Sequence, residues 1–165
     1  MKLSQYQSPL GILNFWFLQG SLIYASFSKE SGTKWLRRHF PQAKARETEL
    51  TPAYTEDLNH YFQGRKIAWA WPIKLIGTPF QQAVWREIQK IPQGQFTTYK
   101  HIGEALNTKA FQAVGQAVGA NPISIIVPCH RVLGTNWFGG YGGGLNRKRL
   151  LLELEGAQLP PKVNA

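Results

Sequence analysis

Cysteine is nearly absent from this sequence: Cys129 is the only one in 165 residues, so no disulfide can form within the chain. The four histidines, His39, His60, His101 and His130, are scattered without paired metal-ligand spacing, and no structural metal is expected. Long apolar runs are missing as well. The nearest candidate, Leu10 to Leu22, is interrupted by Asn14, Gln19 and Gly20 and falls short of the roughly 20 apolar residues that a membrane helix needs. No apolar run followed by a small-residue cleavage site stands near Met1, so a cytosolic, reducing location with no membrane partner is expected. Acidic residues are scarce: 9 Asp and Glu against 19 Lys and Arg leave a net charge of +10. That excess favours a polyanionic partner, nucleic acid first, although a merely solvated basic surface has the same composition. The charge marks no boundary, because Met1 to Pro79 carries ten basic and five acidic residues and Phe80 to Ala165 nine and four.

What is present is a globular composition, 43% hydrophobic and 13% aromatic, in a length that holds one ordinary domain or two small ones. Two apolar runs, Ile12 to Leu18 and Leu22 to Phe27, flank Gln19-Gly20-Ser21 and predict a β-hairpin. Amphipathic helices are expected over Thr33 to Phe40 and Pro52 to Phe62, the second stopped by Gly64. Thr78-Pro79 is a helix start, and Phe80, Val84, Ile88 and Ile91 recur at helical spacing up to the break at Pro92-Gln93-Gly94. Thr98 can cap a short helix over Tyr99 to Leu106, and Asn107-Thr108 turns into another over Lys109 to Ala120, a pairing that suggests a helix-turn-helix. Ile123 to Val127 is a candidate buried strand. Gly134 to Gly144 is a glycine-rich loop, Leu145 to Glu155 a helix ended by Gly156, and Pro160-Pro161 belongs to a loose tail. The class is therefore mixed α and β.

On a helical wheel, Phe111, Val114, Gly115 and Val118 share one face of the second short helix, and Ala110, Ala113, Ala117 and Ala120 the other. Only Gln112 and Gln116 have side chains suited to reading base edges in a major groove. An alanine-paved face suits the minor groove, about 6 Å wide, and suits packing against another helix equally well. The second constellation is Val127-Pro128-Cys129-His130-Arg131, a lone thiol beside two residues able to carry positive charge. Such a setting favours the thiolate, whereas a lone cysteine without that setting is commonly an inert core residue. Neighbours on an extended chain point apart, so a relay between Cys129 and His130 needs a turn or a bridging water. Glu155 lies near a helix C-terminus, where the helix dipole disfavours its charge; it should have a partner, either a catalytic imidazole or a surface cation. Tyr99 can donate a proton to a substrate or pack at the rim of the core.

The order of these pieces closely resembles the O6-alkylguanine-DNA alkyltransferase family. The resemblance is carried by Phe80-Gln81-Gln82-Ala83-Val84-Trp85, Tyr99, Lys109 to Gly115, Asn121-Pro122, Ile126 to Val132 and Gly140-Tyr141-Gly142-Gly143-Gly144. It spans Thr78 to Gly156, while Ser8-Pro9-Leu10-Gly11 and the hairpin after it resemble the family's N-terminal domain only weakly. It implies a small N-terminal sheet-plus-helix domain over residues 1–77, a mainly helical DNA-binding and alkyl-transfer domain over 78–156 with a winged-helix-like helix-turn-helix, and a flexible tail over 157–165.

The family's roles, carried over residue by residue, make Cys129 the alkyl acceptor, His130 its base through a water, and Glu155 the residue that orients His130. Tyr99 would help protonate the leaving guanine, and Asn121 would brace the turn into the reactive segment. Backbone groups of Cys129, Val132 and Gly142 would read the flipped base, with Pro128, Tyr141 and Gly143 lining its pocket. Thr98, Gln112, Ala113, Gly115, Gln116, Ala117 and Arg131 would meet DNA. The partner implied is double-stranded DNA carrying O6-alkylguanine, with O4 of thymine as a second target, met by a monomer with cooperative assembly on DNA left open and no cofactor. An alkyl thioether has no good leaving group, so each molecule would react once. One departure stands out: the family's recognition-helix arginine, which fills the gap left by the flipped base, is Gln112 here, so a weaker wedge is expected. Two other readings compete. A lesion-binding relative without transfer chemistry would lack the cysteine, and a cysteine hydrolase using Cys129, His130 and Glu155 would leave the alanine face and the basic charge without purpose.

Overall fold

The computed structural model describes residues 1–161 and divides into two compact units, Met1–Ile76 with Pro122–Ser124, and Gly77–Asn121 with the chain from Ile125 onward. In the first unit, β1 (Lys2–Ser8), β2 (Gly11–Leu18) and β3 (Ser21–Ser26) form an antiparallel meander. The predicted hairpin is the β2–β3 pair, turned through Gln19 and Gly20, both at positive φ. A two-residue strand, β4 (Arg46–Glu47), adds to the edge of β1 in parallel, giving the order β3-β2-β1-β4.

Helix α1 (Lys29–His39) begins four residues before the predicted start, because Ser28 accepts a hydrogen bond from the Ser31 N–H and caps it there. Gly32 looks like a helix breaker in sequence, but it is the contact point with the sheet: a Cβ there would fall 2.1 Å from the Trp16 ring. Leu3, Trp16, Ile23 and Leu36 are buried together against it. Helix α2 (Pro52–Phe62) runs as predicted, burying Leu58 and Tyr61.

The second unit opens with α3 (Pro79–Gln89), started by a full capping box: Thr78 Oγ1 accepts from the Gln81 N–H while Gln81 Oε1 accepts from the Thr78 N–H. Val84, Trp85 and Ile88 form its buried face. After β5 (Thr97–Thr98) come α4 (Tyr99–Ala105), capped by Thr98, and α5 (Phe111–Gly119), the helix-turn-helix pair. Asn107 turns the chain between them at φ 54°. β6 (Val132–Leu133) pairs with β5 in parallel, and α6 (Leu145–Leu154) follows the glycine-rich loop. Among the described residues this two-residue pair is the unit's only sheet, so no hairpin wing accompanies the two helices.

Two expectations are corrected. Residues 123–127 do not form a strand: Ile123 makes one isolated bridge to Ala25, and Ile125 then takes φ 74°, a left-handed conformation unusual for a β-branched residue that ends any extended run. The first residues of the supposed loose tail are held, with the Ala157 N–H donating to the Leu152 carbonyl and Ala157 and Leu159 packed against Leu133 and Leu152. The remainder of that tail, 162–165, lies outside the described residues.

Candidate active site and DNA-facing helix

Past Ile125 the chain enters Val127 and Pro128, both buried, and then a single 3-10 turn over Cys129–Arg131. The turn supplies what an extended chain could not, presenting Cys129 partly exposed while His130 and Arg131 fold back into the interior. Asn121, just after α5, ties the segment down: its Nδ2 donates to the Val127 carbonyl at 2.8 Å, and its side chain also hydrogen-bonds the Cys129 sulfur. Burial pushes the Cys129 thiol upward in pKa, while the Asn121 bond and the charge of Lys148 pull toward the thiolate without fully offsetting it.

Behind the cysteine, Glu155 at the C-terminal cap of α6 collects three hydrogen bonds. His130 Nε2 donates to Oε2 at 2.9 Å, and Arg131 donates from Nε to Oε1 and from Nη2 to Oε2, each at 2.8 Å. Arg131 Nη1 donates to the Ile91 carbonyl at 2.7 Å. Burial raises the Glu155 carboxyl, but the charges and hydrogen bonds of His130 and Arg131 outweigh it and hold the group at about 2. Burial likewise pushes the His130 imidazole down, against the pull of Glu155. Because a carboxylate can only accept, Nε2 carries a proton, and Nδ1 is buried without a hydrogen-bond partner.

The Tyr99 hydroxyl accepts from the Gly140 N–H at 3.3 Å. Burial is the largest influence on Tyr99 and raises its pKa, and the negative charge of a Cys129 thiolate adds to the rise. Lys148 is fully buried, donating from Nζ to the carbonyls of Val132 at 2.7 Å and Gly140 at 3.0 Å, and burial lowers its pKa to about 8. These two bonds tie α6 to β6 and to the glycine-rich loop.

On α5, Val114, Ala117 and Val118 are buried, and the Ala117 carbonyl accepts from Trp85 Nε1 at 2.8 Å. Gln112, Gln116, Gly119 and Ala120 face outward, with Ala113 and Gly115 half-buried.

Residues 79–157 match the family model described as 6-O-methylguanine DNA methyltransferase, DNA binding domain. A methylated-DNA–protein-cysteine methyltransferase of Haemophilus influenzae is 38% identical over 156 residues, 91% of this chain and 83% of that one. One from Saccharolobus solfataricus is 42% identical over 119 residues, 72% of this chain and 78% of that one. The chain belongs to the methylated-DNA–protein-cysteine methyltransferase family. The crystal structure of Mycobacterium tuberculosis OGT in complex with DNA superposes on this methyltransferase-family chain with a TM-score of 0.82 at 34% identity, covering 98% of this chain and 97% of that one.

Within this methyltransferase-family chain, Asn121 meets Cys129, His130 meets Glu155, and Tyr99 lies near enough to Cys129 to feel the charge of its thiolate. Pro128 and Val132 are buried, Tyr141 is half-buried with its ring 6.4 Å from that of His130, and Gly142 is open, while the Gly143 carbonyl accepts from Arg147. Two expected DNA contacts are corrected. Arg131 is buried and fully engaged with Glu155 and Ile91, and a guanidinium so held is a structural counterion that cannot reach phosphate. Ala117 is 3% exposed, so it packs inside while Ala113 and Gly115 stay at the edge of the accessible face. Thr98 spends its hydroxyl capping α4 at the His101 N–H, which leaves it partly exposed. Lys148 is the residue that sequence reasoning missed; the only signal for it was its place on the helical face shared with Glu155.

Proposed function

We propose that the chain is a single-turnover DNA repair protein that moves the alkyl group from O6 of alkylated guanine in double-stranded DNA onto its own Cys129. The observation that carries this is the His130–Glu155 hydrogen bond: it occupies Nε2 and leaves Nδ1 without a partner, so that in the neutral ring Nδ1 is the base for the only thiol in the chain. In this reading Nδ1 takes the Cys129 proton through one water. The thiolate then attacks the alkyl carbon, the S–C bond forms as the C–O6 bond breaks, and the electron pair leaves with guanine. Tyr99, protonated at neutral pH, supplies a proton to the leaving base. Lys148 adds positive charge near the sulfur, while Asn121 and the 3-10 turn fix the direction of attack.

The exposed face of α5, with Gln112, Ala113, Gly115 and Gln116, meets the minor groove, and the extruded base enters beside Pro128, Val132, Tyr141, Gly142 and Gly143. Flipping costs a few kcal/mol and is easiest at a weakened pair, which supplies some selectivity before chemistry. A lone, unbridged thiol suits a reducing cytoplasm. Intact mass after incubation with a duplex containing O6-methylguanine tests the reading: wild type gains one methyl group per molecule, and Cys129→Ala binds the duplex but gains none. A methylated Cys129→Ala protein overturns it. Gln112 favours one second reading, a lesion binder with weak transfer, which that same measurement would reveal as tight binding with little mass gain.

A further inference from the structure

Trp137, in the glycine-rich loop, is the most exposed large apolar side chain among the described residues, at 61%. Single exposed apolar residues are ordinary on protein surfaces, so exposure alone decides nothing. Its position does. The indole lies at 27° to the Tyr99 ring, centroids 6.4 Å apart, and Tyr99 is near enough to Cys129 to feel the charge of its thiolate, so Trp137 is on the side of Tyr99 from which a base can be held. It is also seated: a Cβ on Gly134 would fall 2.0 Å from Trp137 Nε1 and 2.2 Å from Cδ1, so only glycine lets the indole lie flat on the backbone there. An aromatic plane fixed in this way, with few torsions left to freeze, is a low-cost surface for a planar ligand.

We propose that Trp137 is the stacking platform for the nucleobase taken up beside Cys129. The proposal rests on the alkyl-transfer reading and deepens it. Every base presents a π-face, so an indole holds an extruded guanine without reading its edges, which remain for the backbone groups of the pocket. With a neutral glutamine at 112 on α5, holding the base inside the site matters more than wedging the duplex outside it.

The test follows alkylation of Cys129 by intact mass, with an O6-methylguanine duplex and with free O6-benzylguanine. Trp137→Ala should slow both reactions about tenfold, the usual scale for losing one base–aromatic stack. Trp137→Phe, which keeps a ring, should retain most of the rate. Gly134→Ala, which evicts the indole from its seat, should slow both reactions in the wild-type background and change nothing further in the Trp137→Ala background. Unchanged rates in Trp137→Ala overturn the proposal. So does slowing confined to the duplex, which would place Trp137 against the surrounding DNA, and so does a Phe variant as slow as the Ala variant. A wild-type protein that gains no alkyl group from either substrate removes the alkyl-transfer reading itself, and the platform with it.

Discussion

Glu155 accepts one hydrogen bond from His130 and two from Arg131, which makes it the residue on which the site's electrostatics turn. Glu155→Gln would leave the Arg131 charge buried without a counterion, a change that typically costs about 3 kcal/mol or more of stability. It would also free the imidazole to rotate, so alkyl transfer should slow more than DNA binding weakens. Denaturant midpoints and single-turnover rates check the two effects separately. The pH dependence has a definite sign. With the folded-state carboxyl held at about 2, below its ordinary value of 4.5, folding stabilises the ionised form. That contribution is complete above roughly pH 4.5 and is lost as pH falls toward 2, because the unfolded chain takes up the proton first. Wild type should therefore lose stability across that window, and Glu155→Gln should show a flatter profile there in denaturant titrations.

At the scale of elements, α3 and α5 make opposite cases. The start of α3 is written locally in Thr78-Pro79 and Gln81, and Thr78→Ala should cost about 1 kcal/mol by removing half of the capping box, read as a lower denaturant midpoint with DNA binding unchanged. The orientation of α5 is not written locally. Its side chains are almost all small and neutral, so the wheel offers two similar faces, and the choice is made by Trp85 on α3, whose indole N–H reaches the Ala117 carbonyl. Two leucine substitutions separate the faces. Ala117→Leu should overpack the α3–α5 contact and cost about 1–3 kcal/mol of stability. Ala113→Leu should leave the midpoint nearly unchanged and weaken DNA binding by holding α5 away from the groove.

The same contrast explains what the sequence could not reveal elsewhere. β1 carries no strand signature because its Ser4 and Ser8 are buried polar positions, satisfied in the case of Ser4 by Thr48 forty-four residues away, so apolar alternation never appears. Arg131 and Glu155 are likewise joined only in space. Without that contact an arginine beside the reactive cysteine looks like a phosphate ligand. Family resemblance is what groups Cys129, His130 and Glu155 as candidates, since adjacency in sequence says nothing of the 3-10 turn that turns the thiol outward and the imidazole in.

At the scale of the whole molecule, the +10 net charge is carried in similar measure by both halves of the chain. Such a field raises the local concentration of a polyanion, and binding it releases condensed counterions, so affinity depends steeply on salt. The reaction proposed at Cys129 involves no phosphate, and the groups proposed to govern it, His130, Glu155 and Lys148, are buried away from screening ions. The two dependences can therefore be separated in one protein. Raising salt from 50 to 200 mM should weaken duplex binding about a hundredfold if some four phosphates are neutralised, with transfer from subsaturating duplex falling in step. Transfer from free O6-benzylguanine over the same range should stay nearly constant, because that substrate has no counterions to release. Parallel loss with both substrates would mean that salt acts on the reactive site or on folding, and the basic surface would then have no part in bringing DNA to Cys129.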